Sequence, residues 1–183
     1  MFNSASIDIM KHKYLILYSW FIRTMFYFLP DAPVFMRFRG WLYSFGMRDC
    51  GKNFQVTHSA ILNGLDKLSV GDNVYIANFG NLICNKSVTI GDNVLFGPSV
   101  VLSDGNHVFD GHDFCSKVYH KEINIGSGSW IASHVTILSG SNIPEFSLIA
   151  AGAIVSAKSC NGELYAIYGG VPAKFIKKHF SND

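Results

Sequence analysis

From Cys50 to Cys160 aliphatic residues return every six positions, and that rhythm leaves few folds open. With the inward position as the start of each unit, the chain reads CGKNFQ, VTHSAI and LNGLDKLS, then VGDNVY, IANFGN and LICNKSVT. It continues as IGDNVL, FGPSVV and LSDGNH with a long excursion, and closes with IGSGSW, IASHVT, ILSGSN, IPEFSL, IAAGAI and VSAKSC. The phase holds without a slip from Ile125 through Ile131, Ile137, Ile143 and Ile149 to Val155. Self-similarity at a short fixed period implies a parallel β-solenoid, in which each coil buries its aliphatic row against the coils above and below.

The extra residues fall only after every third unit: two before Val70, two before Ile90, and a long stretch before Ile125. Three units therefore make one coil of a triangular prism, and all insertions leave from one corner. Five coils are expected over residues 50–160, with an extended loop at 103–124 that carries His107. Gly71, Gly91, Gly97 and Gly126, each just after an inward position, are expected to supply corners with positive φ.

The flanks follow other rules. Residues 1–49 read as a helical segment, and residues 161–183 as a cap built from a strand around Leu164–Ile167, a Gly169-Gly170-Val171-Pro172 turn and a short helix over Ala173–Phe180. Residues 7–29 are strongly apolar and aromatic, with Asp8, His12, Ser19 and Arg23 in one polar stripe at 100° per residue. Arg23 inside the run and the absence of a small-residue cleavage site argue against a spanning helix and a signal peptide. Two readings stay open for this helix: packing on the body or a neighbouring subunit, and peripheral contact with a membrane through Tyr14, Tyr18, Trp20 and Tyr27 with Lys11, Lys13 and Arg23. A second helix is predicted from Pro33 to Phe45, with Gly46 as its stop.

Composition sharpens these expectations. With 49% hydrophobic and 15% charged residues, some apolar surface is expected to face a subunit or a membrane. A net charge of +2 and no basic run argue against nucleic acid. Cys50, Cys84, Cys115 and Cys160 are far apart, form no CxxC, and read as reduced thiols of a cytoplasmic chain.

VGDNVYIANFGNLI, VTIGDNVLFGPSVVL, DGNHVF, INIGSGSWIASHVTILSG, IAAGAIVS and YGGVPAKFIKK, in that order, resemble the hexapeptide-repeat acyltransferases, in the branch of maltose, galactoside and polysaccharide O-acetyltransferases. The likeness spans about Cys50 to Lys178. It implies a mainly β fold, a left-handed parallel β-helix, and a homotrimer with active sites between neighbouring prisms. It implies transfer of an acetyl group from acetyl-CoA to a saccharide hydroxyl, such as a surface polysaccharide unit or its precursor, in the cytoplasm or at the inner membrane face.

The resemblance also implies roles. His107 matches the catalytic histidine, whose imidazole suits removal of a hydroxyl proton near neutral pH. Asn78 matches an asparagine that holds the acceptor sugar; the competing reading is a corner residue in the left-handed region. Gly97, Trp130, Ser133, Ala151 and Ser156 match coenzyme A contacts, with Trp130 equally readable as packing and Ser133 as the nearest match for an oxyanion donor. Lys174 and Lys177 match basic positions that meet the nucleotide phosphates.

No cysteine or serine adjoins His107 as a nucleophile, so direct attack in a ternary complex is expected. Alternatives are an N-acetyltransferase of a nucleotide amino sugar, a metal-dependent hydratase on the same solenoid, and a non-enzymatic scaffold. No metal is expected, since His58 lies too early to complete a site with the loop histidines. His112 and His120 read as solvated loop residues, His134 as outward-facing, and no chemistry is assigned to His12, His179 or the carboxylates Asp104, Asp110, Asp113 and Glu122.

Overall fold

The computed structural model describes residues 4–179, with side chains from residue 10 onward. Asp8 of the predicted stripe, as a side chain, and Phe180 of the predicted terminal helix lie outside the described residues.

The repeat folds as a three-faced solenoid. The first face stacks Asp49–Cys50, Leu68–Val70, Val88–Ile90, Ile123–Ile125 and Asn142–Ile143. The second stacks Gln55–Val56, Tyr75–Ile76, Leu95–Phe96, Trp130–Ile131, Leu148–Ile149 and Ala166–Gly169, the last belonging to a partial sixth coil. The third stacks Ile61–Asn63, Asn81–Ile83, Val101–Ser103, Thr136–Leu138 and Ile154–Val155. Parallel register places like on like: Val70, Ile90, Ile125 and Ile143 form one column. Ile76, Phe96, Ile131 and Ile149 form the second, and Leu82, Leu102, Ile137 and Val155 the third. All are buried, so each column side chain contributes about 1.5–3 kcal/mol of transfer free energy.

The three corners differ in chemistry. At the first, between the first and second faces, Asn53, Asn73 and Asn93 take left-handed φ of 57°, 57° and 56°. Asn53 Nδ2 donates to Asn73 Oδ1 at 3.0 Å and Asn73 Nδ2 to Asn93 Oδ1 at 3.1 Å, an amide ladder along the prism. The adjoining aspartates act with it, as Asp92 Oδ1 accepts the Asp72 N–H at 2.7 Å.

This corrects the expected role of the repeat glycines. Gly71, Gly91, Gly97 and Gly126 are not among the positive-φ residues; the residue two positions later carries that conformation instead, Asn73, Asn93, Ser99 and Gly128 respectively. These glycines are required by stacking: a Cβ on Gly91 would stand 2.5 Å from Ser127 Oγ and 2.7 Å from its N, and one on Gly97 would stand 2.8 Å from Ser133 N.

At the second corner Phe79, Ser99, His134 and Gly152 are the left-handed residues of successive coils. The third corner, where the third face returns to the first, releases the insertions: the 3-10 turn Leu65–Lys67, residues 84–87, and a hairpin of Gly105–Phe109 and Phe114–His120. The common corner inferred from spacing is therefore present.

Two helices close the first coil. Helix α1 spans Ser4–Met25 and α2 spans Pro33–Ser44, the latter starting on proline as predicted. The first coil has no coil before it, so its carbonyls need other donors. Arg39 Nε, fully buried on α2, donates to Val56 O at 2.9 Å, and Ser19 Oγ on α1 donates to Leu62 O.

That contact reverses the amphipathic expectation for α1. Ser19, from the polar stripe, faces the solenoid with Leu15 and Ile22, while Tyr14, Leu17, Trp20, Phe21 and Met25 are exposed. The helix spends its polar residue on an orphan carbonyl and leaves aromatic side chains outside.

The predicted C-terminal helix is instead a strand, Lys174–Lys178, antiparallel to Ala166–Gly169. The turn before it sends the chain back along an unpaired strand edge. Pairing with that edge satisfies the backbone, whereas a helix of about eight residues is marginal in water.

Candidate active site

The second corner gathers four of the predicted site residues. Asn78, Gly97, Ser133 and Ala151 sit there in consecutive coils, tied by backbone bonds from Ser99 N to Asn78 O at 2.9 Å, His134 N to Pro98 O at 2.9 Å and Gly152 N to Ser133 O at 3.0 Å. With coils about 4.8 Å apart the row is roughly 15 Å long. Trp130 stands beside it on the second face, half exposed, so it is not a packing residue within this chain.

Lys174 and Lys177 extend the same face. A bulge between Ile167 and Tyr168 sets them opposite Gly169 and Ile167, so both share the outward side although three apart in sequence. Ser156 is not with this group: it follows Val155 at the far edge of the third face, where its N and Oγ meet Ser159 Oγ at 2.8 and 3.1 Å.

His107 lies on the third-corner hairpin, exposed, opposite Val118 in the ladder. Its Nδ1 lies 3.3 Å from Cys115 O. Protonated at Nδ1, the ring leaves Nε2 free to take a proton. The hairpin is fixed at both ends. At its root the buried Asp104 accepts from the backbone N–H groups of Asn85 and Lys86 and meets His120 Nδ1 at 3.0 Å. His120 is thus a half-buried anchor and not a solvated loop residue. At the tip Asp110 Oδ1 accepts the N–H groups of Asp113 and His112, both at 3.0 Å, and these bonds hold its carboxyl below the usual range.

His107 and the row containing Asn78 occupy different corners, so one chain does not bring them together. Asn78 is also not the left-handed residue of its corner, which is Phe79 at φ 60°. Its amide is engaged: Nδ2 donates to Asp31 Oδ2 at 2.9 Å and lies 3.3 Å from Ser59 Oγ. Asp31 also accepts from His58 N at 2.9 Å, meets His58 Nδ1 at 2.7 Å, and pairs with Arg39. Burial would raise the Asp31 carboxyl, but hydrogen bonds from His58 and Asn78 outweigh it and the net shift is downward. Sequence spacing gave no sign of this cluster, because Asp31 lies in the interhelix link, outside the six-residue period.

Burial pushes the thiols of Cys50 and Cys160 up to about 11, and that of Cys84 upward as well, so none of these is a thiolate at neutral pH. Among the described residues no group of three or more His, Cys, Asp or Glu side chains is placed to hold a metal ion.

No protein-family model matches the chain. Galactoside O-acetyltransferase of Escherichia coli (strain K12) is 36% identical over 131 residues, covering 70% of this chain and 62% of the relative, so the chain spans less than two thirds of that relative's length. An acetyltransferase relative from Saccharomyces cerevisiae is 30% identical over 135 residues, 73% of this chain and 67% of its own length. A dTDP-4-amino-4,6-dideoxy-D-glucose acyltransferase of Escherichia coli is 26% identical over 163 residues, 75% of this chain and 85% of the relative. In fold, the crystal structure of a hexapeptide-repeat acetyltransferase from Vibrio cholerae, complexed with acetyl-CoA, superposes with a TM-score of 0.76 at 21% identity, covering 99% of this chain and 94% of that one. Repeat, corner chemistry and relatives converge, and the chain belongs to the hexapeptide-repeat acetyltransferase family.

Proposed function

We propose that this protein is an acetyl-CoA-dependent O-acetyltransferase acting on a saccharide hydroxyl. The observation that carries the reading is the single row of Asn78, Gly97, Ser133 and Ala151 along one corner, continued by Lys174 and Lys177. Such a row suits an extended thioester ligand, its phosphates at the lysines and its acyl end towards Asn78. Because His107 stands at another corner, the site is completed by a neighbouring copy whose hairpin reaches this row, in a three-fold assembly.

In the reaction His107 Nε2 removes the proton from the acceptor hydroxyl as that oxygen bonds to the thioester carbonyl carbon. The carbonyl oxygen gains charge and is stabilised by a backbone N–H of the groove, with Ser133 the nearest candidate. The C–S bond then breaks, the imidazolium returns its proton to the departing thiolate, and acetylated saccharide and coenzyme A leave.

The outward aromatic face of α1, with Lys11 and Lys13 exposed on the same helix, supports contact with an anionic membrane surface, where a lipid-linked acceptor would be met. Among the described residues no helix is long and apolar enough to cross a membrane.

The test is release of coenzyme A thiol from acetyl-CoA with a panel of saccharides and amino sugars, for wild type and His107→Ala. Loss of about 10²–10⁴ in kcat in the variant is the expected result. Equal turnover by both proteins rejects the base assignment, and turnover confined to amino sugars replaces the hydroxyl acceptor by an amine.

A further inference from the structure

We propose that His58, held by Asp31, is a second saccharide-binding imidazole, whose Nε2 accepts a hydrogen bond from one acceptor hydroxyl while Asn78 Oδ1 accepts from another. The inference rests on the acetyltransferase reading and adds to it a residue and the donor pattern that the acceptor must carry.

The Asp31 carboxylate is saturated. Oδ1 takes the Arg39 guanidinium and the His58 N–H, and Oδ2 takes His58 Nδ1 at 2.7 Å and Asn78 Nδ2 at 2.9 Å. A carboxylate paired with a buried guanidinium is ionised and only accepts, so His58 Nδ1 carries the proton and donates it. The bond fixes the neutral form of the ring in one tautomer, with Nε2 as an acceptor that makes no hydrogen bond among the described residues. Tyr27 stands edge-on to the ring with centroids 4.9 Å apart, which sets its plane.

Asn78 is oriented by the same oxygen. With Nδ2 turned to Asp31 Oδ2 and Ser59 Oγ, Oδ1 points away from both. Ser59 Oγ accepts the Phe79 N–H at 3.0 Å and keeps its own proton to offer. One carboxylate oxygen therefore orients two side chains of successive coils and leaves an acceptor atom on each, with the Ser59 hydroxyl bonded to the Asn78 amide.

His58 and Asn78 sit at the second corner in the first and second coils, at the head of the row assigned to acetyl-CoA. An adjoining cavity of about 490 Å³ is walled by Arg23, Tyr27, Phe28, Ser59 and Phe79. His58 and Asn78 do not line this cavity but reach it through Tyr27 and Ser59, and its aromatic walls with the Ser59 hydroxyl and the Arg23 guanidinium suit a sugar ring, which shows an apolar face and a rim of hydroxyls. The interhelix link thereby does more than connect α1 to α2: Asp31 within it positions both side chains.

The experiment is steady-state kinetics of the full chain with acetyl-CoA and its best saccharide acceptor, for wild type, His58→Ala and His58→Gln. His58→Ala is expected to raise the acceptor KM about tenfold, with the acetyl-CoA KM within about twofold of wild type, because one hydrogen bond to the acceptor is lost. Glutamine keeps a donor for Asp31 and an acceptor for the sugar and is expected to recover part of the loss; if the alanine protein fails to fold, the glutamine protein's acceptor KM decides. An unchanged acceptor KM, or both KM values rising together, overturns the assignment. Wild type silent towards every saccharide overturns the acetyltransferase reading itself, a result distinct from an active wild type matched by His58→Ala.

Discussion

Asp104 and His120 face each other across the root of the hairpin, Oδ1 to Nδ1 at 3.0 Å, and the carboxylate is fully buried. The same carboxylate holds the turn at Asn85 and Lys86, so one side chain joins two successive third-corner insertions. Asp104→Ala leaves those N–H groups without an acceptor and is expected to cost about 3 kcal/mol. Thermal unfolding measures the stability loss. Where the protein still folds, kcat should fall while the acetyl-CoA KM holds, because His107 loses its footing and the lysine pair does not.

The glycine positions separate crowding from backbone conformation. Gly91 has ordinary φ but no room, and Gly152 has φ of 73° with nothing within 4 Å of a Cβ. Gly91→Ala is expected to destabilise by several kcal/mol, since backbone of the next coil must move. Gly152→Ala should cost about 1–2 kcal/mol of left-handed strain alone. Denaturant midpoints of the two variants check the ranking, and equal losses would reject it.

Lys174 and Lys177 share the outward side of the terminal strand. Changing both to glutamate is expected to raise the acetyl-CoA KM about tenfold or more, with the acceptor KM little changed. The wild-type KM should itself rise with ionic strength, as exposed charges are screened. A KM indifferent to both would remove the phosphates from that end of the row.

The aromatic face of α1 predicts membrane attachment that survives only while the face is intact. Leu17, Trp20 and Phe21 are exposed, so a triple change to serine leaves the packing of Leu15, Ser19 and Ile22 in place. Flotation with vesicles containing anionic lipid is expected to carry the wild type and not the variant. Equal flotation, or none by either, would count against the membrane contact.

Asp31 gives stability a definite pH dependence. Its folded-state pKa is depressed, so its contribution is complete above the ordinary aspartate value of about 3.9 and is lost as pH falls through the lower folded value. Wild type should lose stability below about pH 4. Asp31→Asn should be weaker at pH 7 and show a flatter decline in the acid range, as followed by circular dichroism.

Periodicity carried the solenoid, its common insertion corner and the placement of His107, because a coil repeats the same steric problem and solves it with the same residue types. α2 was legible for a different reason, since Pro33 and Gly46 mark its limits locally. The orientation of α1 was not. A polar stripe normally faces water, and Ser19 turns inward because the Leu62 carbonyl and the buried Tyr43 hydroxyl are there to bond it. The terminal strand escaped prediction because Lys174–Lys178 suits helix or strand equally, and the vacant edge of Ala166–Gly169 decides. The Asp31–His58 pair joins residues 27 apart, one of them outside any repeat, so no spacing rule could reach it.

The two ends of the prism are closed by different devices, side-chain donors on α1 and α2 at one and a strand of opposed direction at the other. A column of coils is in principle open to endless addition, as a stack of plates is. Here Arg39 and Ser19 donate where a preceding coil would, and on the second face the reversed strand takes the place of a following parallel one. Parallel stacking on the second face therefore stops, among the described residues, at Ala166–Gly169.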